Sequence, residues 1–559
     1  MKELYLNIME KALSAYTAEG INDYIDEVKR NGLTEHGFPR LGVNIGILIA
    51  YGRRTELFPT LIEILNLCCE EIPRKKAGND FSVREVCCCL MLLEERGIVN
   101  KELINKWKEQ LATIDPWTCY NIVDDHSGKF VGNWAMFGAV SDFVRGSYCG
   151  IDTSDFVDWQ IPSQLANLDC NDMYMDHPPF GNHTVYDLVP RYLMAFLLRA
   201  GYKGKYAARI ERVLDHTADI TLKMQSVTGE LAFGGRSNQF LHNEPMICSY
   251  CEMEAVRFAE KGDLIKAGQF KAAALLAAKA TLKYLLLNPI SHIKNRYDVS
   301  SQIGCEGYGY FNKYMITVAS YLYPALLFGD TRIAPTVAPA EQGGYALQTS
   351  NRFHKVFLNC GGYFLEFDTN ADPNYDANGL GRVHKRGCPS AICLSVPFSR
   401  KPNYVLENKN PSSMSICCYA ELDGKKLLGA ERYADHTLVS TQSSERKASA
   451  VFEVKFAGDI SLMQTYTVLQ CGVSVSLSGY EKVGFMLPVF AFDGANETNI
   501  AVTKNCISVT YQNAVCKYRF EGDVDPDFKY YYNRNGRYKV YAVATKELKI
   551  EIEEERHES

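Results

Sequence analysis

The 559-residue sequence has no apolar run of 18 residues, and its N-terminus has no long apolar segment of the signal-peptide type. We therefore predict a cytoplasmic protein with no membrane partner. The formal net charge is -6, so the sequence also lacks the basic surplus that nucleic-acid-binding proteins usually carry. We expect no nucleic-acid partner.

Cofactor-binding motifs are missing as well. We find no glycine-rich phosphate loop, no dinucleotide fingerprint and no parallel βαβ rhythm, which argues against kinases and nicotinamide-dependent enzymes. Cys248 and Cys251 form one CxxC without the second pair that a zinc site of this type needs. The triplet Asp124-Asp125-His126 alone is a poor metal signal. We expect no cofactor and no catalytic metal, and a structural divalent metal stays open.

Cysteine and tyrosine are abundant, with 19 and 34 residues respectively. Runs such as Cys87-Cys88-Cys89 lie within apolar segments, where reduced cysteine serves as a small core residue. Tyrosine suits carbohydrate clefts because it combines a stacking face with a hydroxyl, but it also fills β-sandwiches. Composition therefore permits a sugar-binding protein without requiring one.

The periodicity of apolar residues changes near residue 330. Before it, apolar residues recur at helical spacing, for example over 184–200 and 264–286, and predict about a dozen helices. Their short connections favour stacked antiparallel hairpins that close into an α/α toroid, an incomplete barrel whose funnel is lined by loops and helix ends. After a Pro- and Ala-containing linker, alternating runs such as 538–553 predict strands. We predict an α+β multidomain protein: a catalytic α/α toroid over 1–330 and an antiparallel β-sandwich over 331–559 that contributes to the cleft.

Polar residues crowd into three otherwise apolar stretches. The first, 172–187, precedes a helix, and a helix N-terminus favours an anion. Ordinary capping would explain one of its polar residues but not the whole set. The candidates in this stretch are Tyr174, Asp176, His177, Asn182, His183 and Tyr186.

The second and third stretches are 233–244 and 374–389. In the second, two glycines permit close backbone approach to a ligand and Arg236 is suited to bidentate binding of a carboxylate, unless it serves a helix C-terminus. Asn238 and His242 follow it. In the third, Arg382 and His384 share one face of an extended segment, with a solvated basic turn as the alternative. Neighbouring cations would lower the pKa of His384 and favour its neutral form.

Aromatic residues supply three further candidates. Trp134 is either a sugar-stacking platform or a core residue. Tyr308 and Tyr310 flank a glycine at a helix start, where either side chain could face the funnel.

Several motifs resemble those of uncharacterised bacterial proteins with such a toroid: Asn133-Trp134-Ala135-Met136-Phe137, Tyr174 with Asp176, Tyr186-Asp187 and Gly235-Arg236-Ser237. With an Asn-His pair in the toroid and a histidine in the β domain, the chain resembles the heparinase II/III-like and alginate-lyase-like polysaccharide lyases. The resemblance covers most of the chain by architecture and only short stretches by motif. The usual His-rich β-domain motif is absent, and Gly381-Arg382-Val383-His384 is its nearest counterpart.

The resemblance implies cleavage of a uronate-containing glycan by β-elimination, giving a 4,5-unsaturated uronate. Such a reaction needs a carboxylate neutraliser, a base and an acid. The implied catalytic residues are Asn182 and His183 as neutralisers, Arg236 as their assistant, and His384, Tyr310 and Tyr186 as candidates for base and acid. The implied substrate-binding residues are Trp134, Tyr174, Asp176, His177, Asn238, His242, Tyr308 and Arg382. The expected partner is an anionic oligosaccharide. A homodimer stays open, because no interface signal is visible.

Two rival functions remain at this point. A glycoside hydrolase on the same toroid would need two carboxyl groups roughly 5 to 9.5 Å apart. Asp172, Asp176, Asp187 and Glu244 are available for that role. The other rival is a carbohydrate-binding protein without catalysis, since a fold alone does not give a function.

Overall fold

The computed structural model describes residues 1–74, 77–176 and 184–554. Over these ranges helices precede strands along the chain. The α-helices are α1 (Lys2–Leu13), α2 (Ala18–Asn31), α3 (Gly37–Ala50), α4 (Phe58–Glu71), α5 (Asn79–Glu95), α6 (Lys101–Ala112), α7 (Pro116–Cys119), α8 (Trp134–Cys149), α9 (Ser154–Leu165), α10 (Val185–Arg199), α11 (Ala207–Met224), α12 (Asn243–Glu260), α13 (Leu264–Leu285), α14 (Phe311–Tyr314), α15 (Thr317–Phe328) and α16 (Pro339–Gln342). Short 3-10 helices occupy Thr55–Leu57, Val299–Ser301 and Ser390–Ile392.

Six of the described helices form an inner ring. Helix α3 contacts α5, followed in order by α8, α10, α12 and α15, and α15 contacts α3 again. Helices α1, α4, α6, α9, α11 and α13 pack around this ring. The predicted α/α toroid is therefore confirmed.

Helix α3 shows how the sequence produces an inner helix. Its residues are all buried, as expected for a helix that is apolar on nearly every face. A Cβ at Gly42 would lie 2.5 Å from Cγ2 of Ile64, and one at Gly46 would lie 2.4 Å from Sγ of Cys89. These two glycines allow α3 to approach α4 and α5 closely.

The described strands are antiparallel throughout. They are β1 (Tyr345–Gln348), β2 (Lys355–Cys360), β3 (Tyr363–Asp368), β4 (Gly379–Lys385), β5 (Cys417–Leu422), β6 (Lys425–Leu428), β7 (Asp435–Ser444), β8 (Lys447–Lys455), β9 (Ser461–Leu469), β10 (Gly472–Ser478), β11 (Val483–Phe492), β12 (Asn499–Thr503), β13 (Cys506–Tyr511), β14 (Ala514–Phe520), β15 (Asp523–Val524), β16 (Lys529–Tyr532), β17 (Arg537–Ala544) and β18 (Glu547–Glu554).

These strands form sheets of four, eight and six strands. The four-stranded sheet has the order β1-β2-β3-β4, and the eight-stranded sheet has the order β12-β13-β14-β18-β10-β9-β8-β7. The third sheet has the order β15-β17-β11-β5-β6, with β16 paired to β17. Apolar residues from all three sheets share one core, so the predicted antiparallel β domain is confirmed with an additional sheet.

Strands β2, β3 and β4 of the four-stranded sheet are buried on both faces, and this sheet joins the two parts of the chain. On β2, Val356 and Leu358 face the core shared by the sheets, whereas Phe357 packs with Met173, Met175 and Met224 of the helical part. Alternation along a strand places neighbouring residues on opposite faces. One face of this sheet is therefore available to hold groups of the helical part in position.

Two further predictions concern membrane helices and cysteine. Among the described residues, we find no helix with the length and hydropathy that spanning a bilayer requires. The cysteines are free thiols, and most are buried as small core residues.

Candidate active site

Residues 231–237, here called the strap, run without regular secondary structure between α11 and α12. Buried carboxylates of the β domain hold its backbone. The Phe233 N–H donates to Oε2 of Glu366 at 3.0 Å, and the Gly235 N–H donates to Oδ2 of Asp376 at 2.6 Å. The strap is therefore fixed by the four-stranded sheet and by the loop before β4.

A third carboxylate holds the end of the strap. The Ser237 N–H donates to Oε1 of Glu306 at 2.7 Å. Arg534, from the turn between β16 and β17, donates to both oxygens of Glu306 at 2.7 and 3.1 Å. The β domain thus holds this backbone indirectly as well, through a buried ion pair.

Arg236 projects from the strap between an aromatic ring and an acid. Its guanidinium carbon lies 4.3 Å from the centroid of the Tyr186 ring, and its Nη2 lies 3.5 Å from Oδ2 of Asp176. Asp176 is fully buried and also accepts from the Asn133 N–H at 3.0 Å and from the Tyr174 hydroxyl at 3.3 Å. The Arg236 side chain remains 28% exposed, so it is oriented from behind and still accessible in front.

Three hydroxyl groups form a chain beside Arg236. The Tyr186 hydroxyl lies 3.0 Å from Oγ of Ser237, which lies 2.7 Å from the Tyr308 hydroxyl. Burial raises the pKa of Tyr308, so its hydroxyl keeps its proton at neutral pH. A protonated phenol in this chain is able to donate a proton to a reacting oxygen.

These groups line a cavity of about 380 Å³. Its described lining comprises Thr34, Glu35, His36, Arg40, Ala77, Gly78, Phe81, Asn121, Asn133, Trp134, Phe137, Val185, Tyr186, Val189, Arg236, Ser237, His242, Tyr308, Lys313, Tyr314, Thr317 and Tyr321. All six inner helices contribute their first turn or their N-cap residue to it. The positive end of each of these helix dipoles therefore faces the cavity, which favours an anion.

The charged side chains of the lining point the same way. Arg40, Arg236 and Lys313 line the cavity, whereas Glu35 is the single carboxylate among the described lining residues. Burial raises the pKa of Glu35 and lowers the pKa of Lys313. Arg40 is paired with the buried Glu85, whose Oε2 lies 3.2 Å from Nε of Arg40. Cations still outnumber carboxylates in the described lining, which suits it to an anionic ligand.

Two histidines line the cavity in neutral form. Nη1 of Arg40 donates to Nδ1 of His36 at 2.8 Å, and burial with this nearby charge lowers the pKa of His36 well below its usual range. Burial likewise lowers the pKa of His242, whose ring stacks on Tyr321 at 5.4 Å between centroids. A neutral imidazole is able to accept a proton at neutral pH.

No family model and no curated protein matches the chain. Among solved structures, heparinase III is 9% identical, with a TM-score of 0.37 and coverage of 97% of this chain and 91% of that chain. The baculovirus envelope chondroitin lyase ODV-E66 is 10% identical, with a TM-score of 0.47 and coverage of 93% and 76%. Endoglucanase CelQ from Clostridium thermocellum, complexed with cellotriose, is 9% identical, with a TM-score of 0.30 and coverage of 94% and 84%.

Structures of polysaccharide lyases are thus among those that this chain is similar to, as the sequence resemblance led us to expect. A glucan-cleaving enzyme is among them too. At these identities and TM-scores the likeness decides neither a reaction nor a substrate for this chain.

The structure brings together five of the residues proposed from the sequence: Trp134, Tyr186, Arg236, His242 and Tyr308 all line the cavity. Tyr174 and Asp176 lie behind Arg236 and are fully buried, so they orient the guanidinium from behind. Asn182, His183 and His177 lie outside the described residues.

His384 and Arg382 lie elsewhere, in the closed interface between the helical part and the four-stranded sheet. His384 contacts Oγ of Ser226 at 2.7 Å through Nδ1 and Oγ of Ser395 at 2.8 Å through Nε2. Nη1 of Arg382 donates to the Leu231 carbonyl at 2.7 Å. Both side chains are buried with protein partners, so the structure does not place either of them at the cavity.

Two other proposed residues also lie off the cavity. Tyr310 is 54% exposed and lines a neighbouring outer groove together with Tyr24 and Asn312. Asn238 is buried, and its amide donates to the Ala232 carbonyl at 3.1 Å, which braces the strap. The physical reason is the same in both cases. Tyr310 and Asn238 are close in sequence to the lining residues Tyr308 and Ser237, but their side chains leave the backbone in other directions.

The sequence reading missed several lining residues, above all His36, Arg40, Lys313, Tyr314 and Tyr321. Arg40 carried a usable signal, because a charged residue within an apolar inner helix is seldom fully buried without a specific role. The tyrosines carried none, since tyrosine at helical spacing is typical of an ordinary core. Among the described residues, no group of three or more His, Cys, Asp or Glu is arranged to hold a metal ion.

Proposed function

We propose that this chain is a lyase that cleaves a uronate-containing glycan by β-elimination. The observation that carries the proposal is the convergence of six helix N-termini, Arg40, Arg236 and Lys313 on one cavity that also holds neutral imidazoles and phenols. A uronate carboxylate is the sugar group that such a field stabilises. Neutralising that carboxylate makes the adjacent C5 proton removable.

Each catalytic role has a candidate in the lining. We assign carboxylate binding to the Arg236 guanidinium and to the Asn133 side chain at the start of α8. We assign the base to His242, which burial keeps neutral. We assign the acid to Tyr308, whose proton is replenished through Ser237 and Tyr186.

The proposed reaction is balanced without water or a redox partner. His242 takes the C5 proton, the electron pair forms the C4=C5 double bond, and the C4–O bond breaks. Tyr308 gives its proton to the departing glycosidic oxygen. The products are a 4,5-unsaturated uronate and a new sugar end. The starting state returns when His242 releases its proton to solvent and Tyr308 takes one up from solvent through Ser237 and Tyr186.

Hydrolysis is the weaker alternative because the described lining provides one carboxylate, Glu35, rather than a pair. The four acids considered from the sequence are all engaged by cations. Asp176 lies behind Arg236 at 3.5 Å, and Asp172 accepts from Nη2 of Arg209 at 2.7 Å. Glu244 is buried 2.5 Å from Nζ of Lys294, and Asp187 is buried and accepts from Nε of Arg191 at 3.0 Å.

The test offers the purified chain a panel of uronate glycans, including heparan, chondroitin and alginate, and follows the ultraviolet absorbance of the unsaturated uronate. We expect a rise on at least one glycan. New reducing ends without that absorbance would replace the lyase with a hydrolase. Neither signal, with glycan binding detected by calorimetry, would leave a binding protein.

A further inference from the structure

Two tryptophans form an exposed aromatic surface outside the cavity. Trp117 is 37% exposed and Trp159 is 42% exposed. The His126 ring lies between them, 5.3 Å from the Trp117 centroid and 3.8 Å from the Trp159 centroid. We call these three side chains the aromatic platform. Tryptophan side chains are usually mostly buried, so two partly exposed tryptophans at one place on the surface suggest a binding role.

The platform is tied to the cavity through α7. Trp117 lies four residues before Asn121, which lines the cavity, so their Cα atoms are at most about 15 Å apart. Between them, Tyr120 is fully buried and its hydroxyl donates to Asp142 at 3.0 Å. The connection is therefore pinned to α8 rather than free to swing.

A second connection runs through α9, which carries Trp159. Five residues farther along, Nε2 of Gln164 donates to the Gly132 carbonyl at 3.1 Å, directly before Asn133 in the cavity wall. Five residues of helix correspond to about 7.5 Å. Helix α9 thus holds the platform beside the same wall.

Gln160, next to Trp159, fixes the loop that carries His126. It accepts from the Asp124 N–H at 2.7 Å and donates to the Asp124 carbonyl at 3.1 Å. Helix α9 therefore positions Trp159, and the loop anchored to it positions His126. A preorganised aromatic surface loses little conformational entropy when a ligand stacks on it.

We propose that the aromatic platform is an outer subsite that stacks on a sugar ring of the same glycan whose uronate lies in the cavity. The inference rests on the proposed function and specifies its substrate as a chain of several sugar units rather than a disaccharide. Sugar rings present apolar C–H faces that match an indole surface.

A protein partner fits this surface less well. Two indoles exposed to this extent offer at most roughly 200 Å² of aromatic surface. A stable protein interface needs about 800 Å² on each partner. A single stacked sugar ring needs only the area that the platform provides.

The test compares the wild-type chain with Trp117→Ala and Trp159→Ala on size-graded oligosaccharides of heparan, chondroitin and alginate. We expect the ratio of kcat/KM for the longest to that for the shortest cleaved oligosaccharide to fall about 2- to 12-fold in each variant, the factor that one aromatic stack contributes. Tyr530→Ala is the matched control, because Tyr530 is 40% exposed on the β domain. An unchanged ratio in both tryptophan variants would overturn the platform while leaving the lyase in place.

Tryptophan fluorescence separates the two proposals. If oligosaccharides shift the wild-type emission but are not cleaved, and Trp159→Ala loses the length-dependent part of the affinity, the platform stands and the lyase falls. If long and short oligosaccharides bind with equal affinity, or none binds, the platform is overturned.

Discussion

The guanidinium of Arg236 lies 4.3 Å from the centroid of the Tyr186 ring. Arg236 arrives on the strap, whereas Tyr186 belongs to the first turn of α10. The ring supports the cation from one side and Asp176 contacts it from another, so the guanidinium points at the cavity in one orientation. Tyr186 therefore serves both as a support for Arg236 and as a member of the hydroxyl chain.

This arrangement predicts that Arg236→Lys will impair substrate turnover. Lysine lacks the planar fork that lies over an aromatic ring and binds a carboxylate through two hydrogen bonds. We expect the transition state to lose about 1.5 to 3 kcal/mol of stabilisation, so that kcat/KM falls roughly 10- to 150-fold. Initial rates of product absorbance measure this change. Arg332→Lys is the control, since Arg332 is 89% exposed and pairs with Asp330 on the surface. Equal rates in both variants would contradict the assigned role.

Removing the Tyr308 hydroxyl should slow the chemical step. We expect Tyr308→Phe to lower kcat about 10²- to 10⁴-fold with a smaller change in KM, because the hydroxyl donates its proton in the transition state. Tyr310→Phe serves as the control, since Tyr310 is exposed and lies in the outer groove. A larger loss in Tyr310→Phe than in Tyr308→Phe would reverse the assignment.

His384→Ala should destabilise the protein rather than disable its site. The substitution removes the two buried hydrogen bonds between the imidazole and the Ser226 and Ser395 hydroxyls, each worth about 0.5 to 1.5 kcal/mol. Urea denaturation should show a lower midpoint, with kcat per folded molecule close to wild type. A collapse of kcat at unchanged stability would instead return His384 to the catalytic set.

Asp376→Asn should change how stability depends on pH. Burial raises the pKa of Asp376 to about 7, whereas an unfolded chain has an aspartate pKa near 3.9. Between about pH 4 and pH 7 the folded state holds a proton that the unfolded state has lost, so this group's contribution to stability is lost as the pH rises. Asparagine does not titrate, so the variant should gain up to about 4 kcal/mol relative to wild type over that window. Thermal denaturation at several pH values measures the difference. If melting temperature changes with pH in the same way in the variant and the wild type, Asp376 does not titrate as predicted.

Arg534→Met should destabilise the chain strongly because it leaves the buried Glu306 carboxylate without its cation. Breaking a buried pair from one side costs about 3 to 5 kcal/mol. The double variant Arg534→Met with Glu306→Gln should recover part of that loss, since no buried charge then remains unpaired. Denaturant titration of both variants measures the difference, and an equal loss in both would argue against the ion pair as the cause.

Much of the fold could be predicted from local pattern. The apolar spacing over 264–286 predicts a helix, and α13 spans Leu264–Leu285. The run 538–553 predicts strands, and β17 and β18 occupy most of it. The spacing of apolar residues shows which face of a helix or strand is buried. The type of element can therefore be predicted without knowing what packs on that face.

The sequence alone also marked the strap and the stretch around Tyr186 as polar segments worth attention, and both reach the cavity. Local pattern could not reveal which polar residues meet, because that depends on contacts between residues far apart in the chain. Arg534 and Glu306 are 228 positions apart and still meet through a bidentate contact. Closure of the six-helix ring and packing of the four-stranded sheet against it placed Arg40 and His242 at the cavity and sealed His384 away from it.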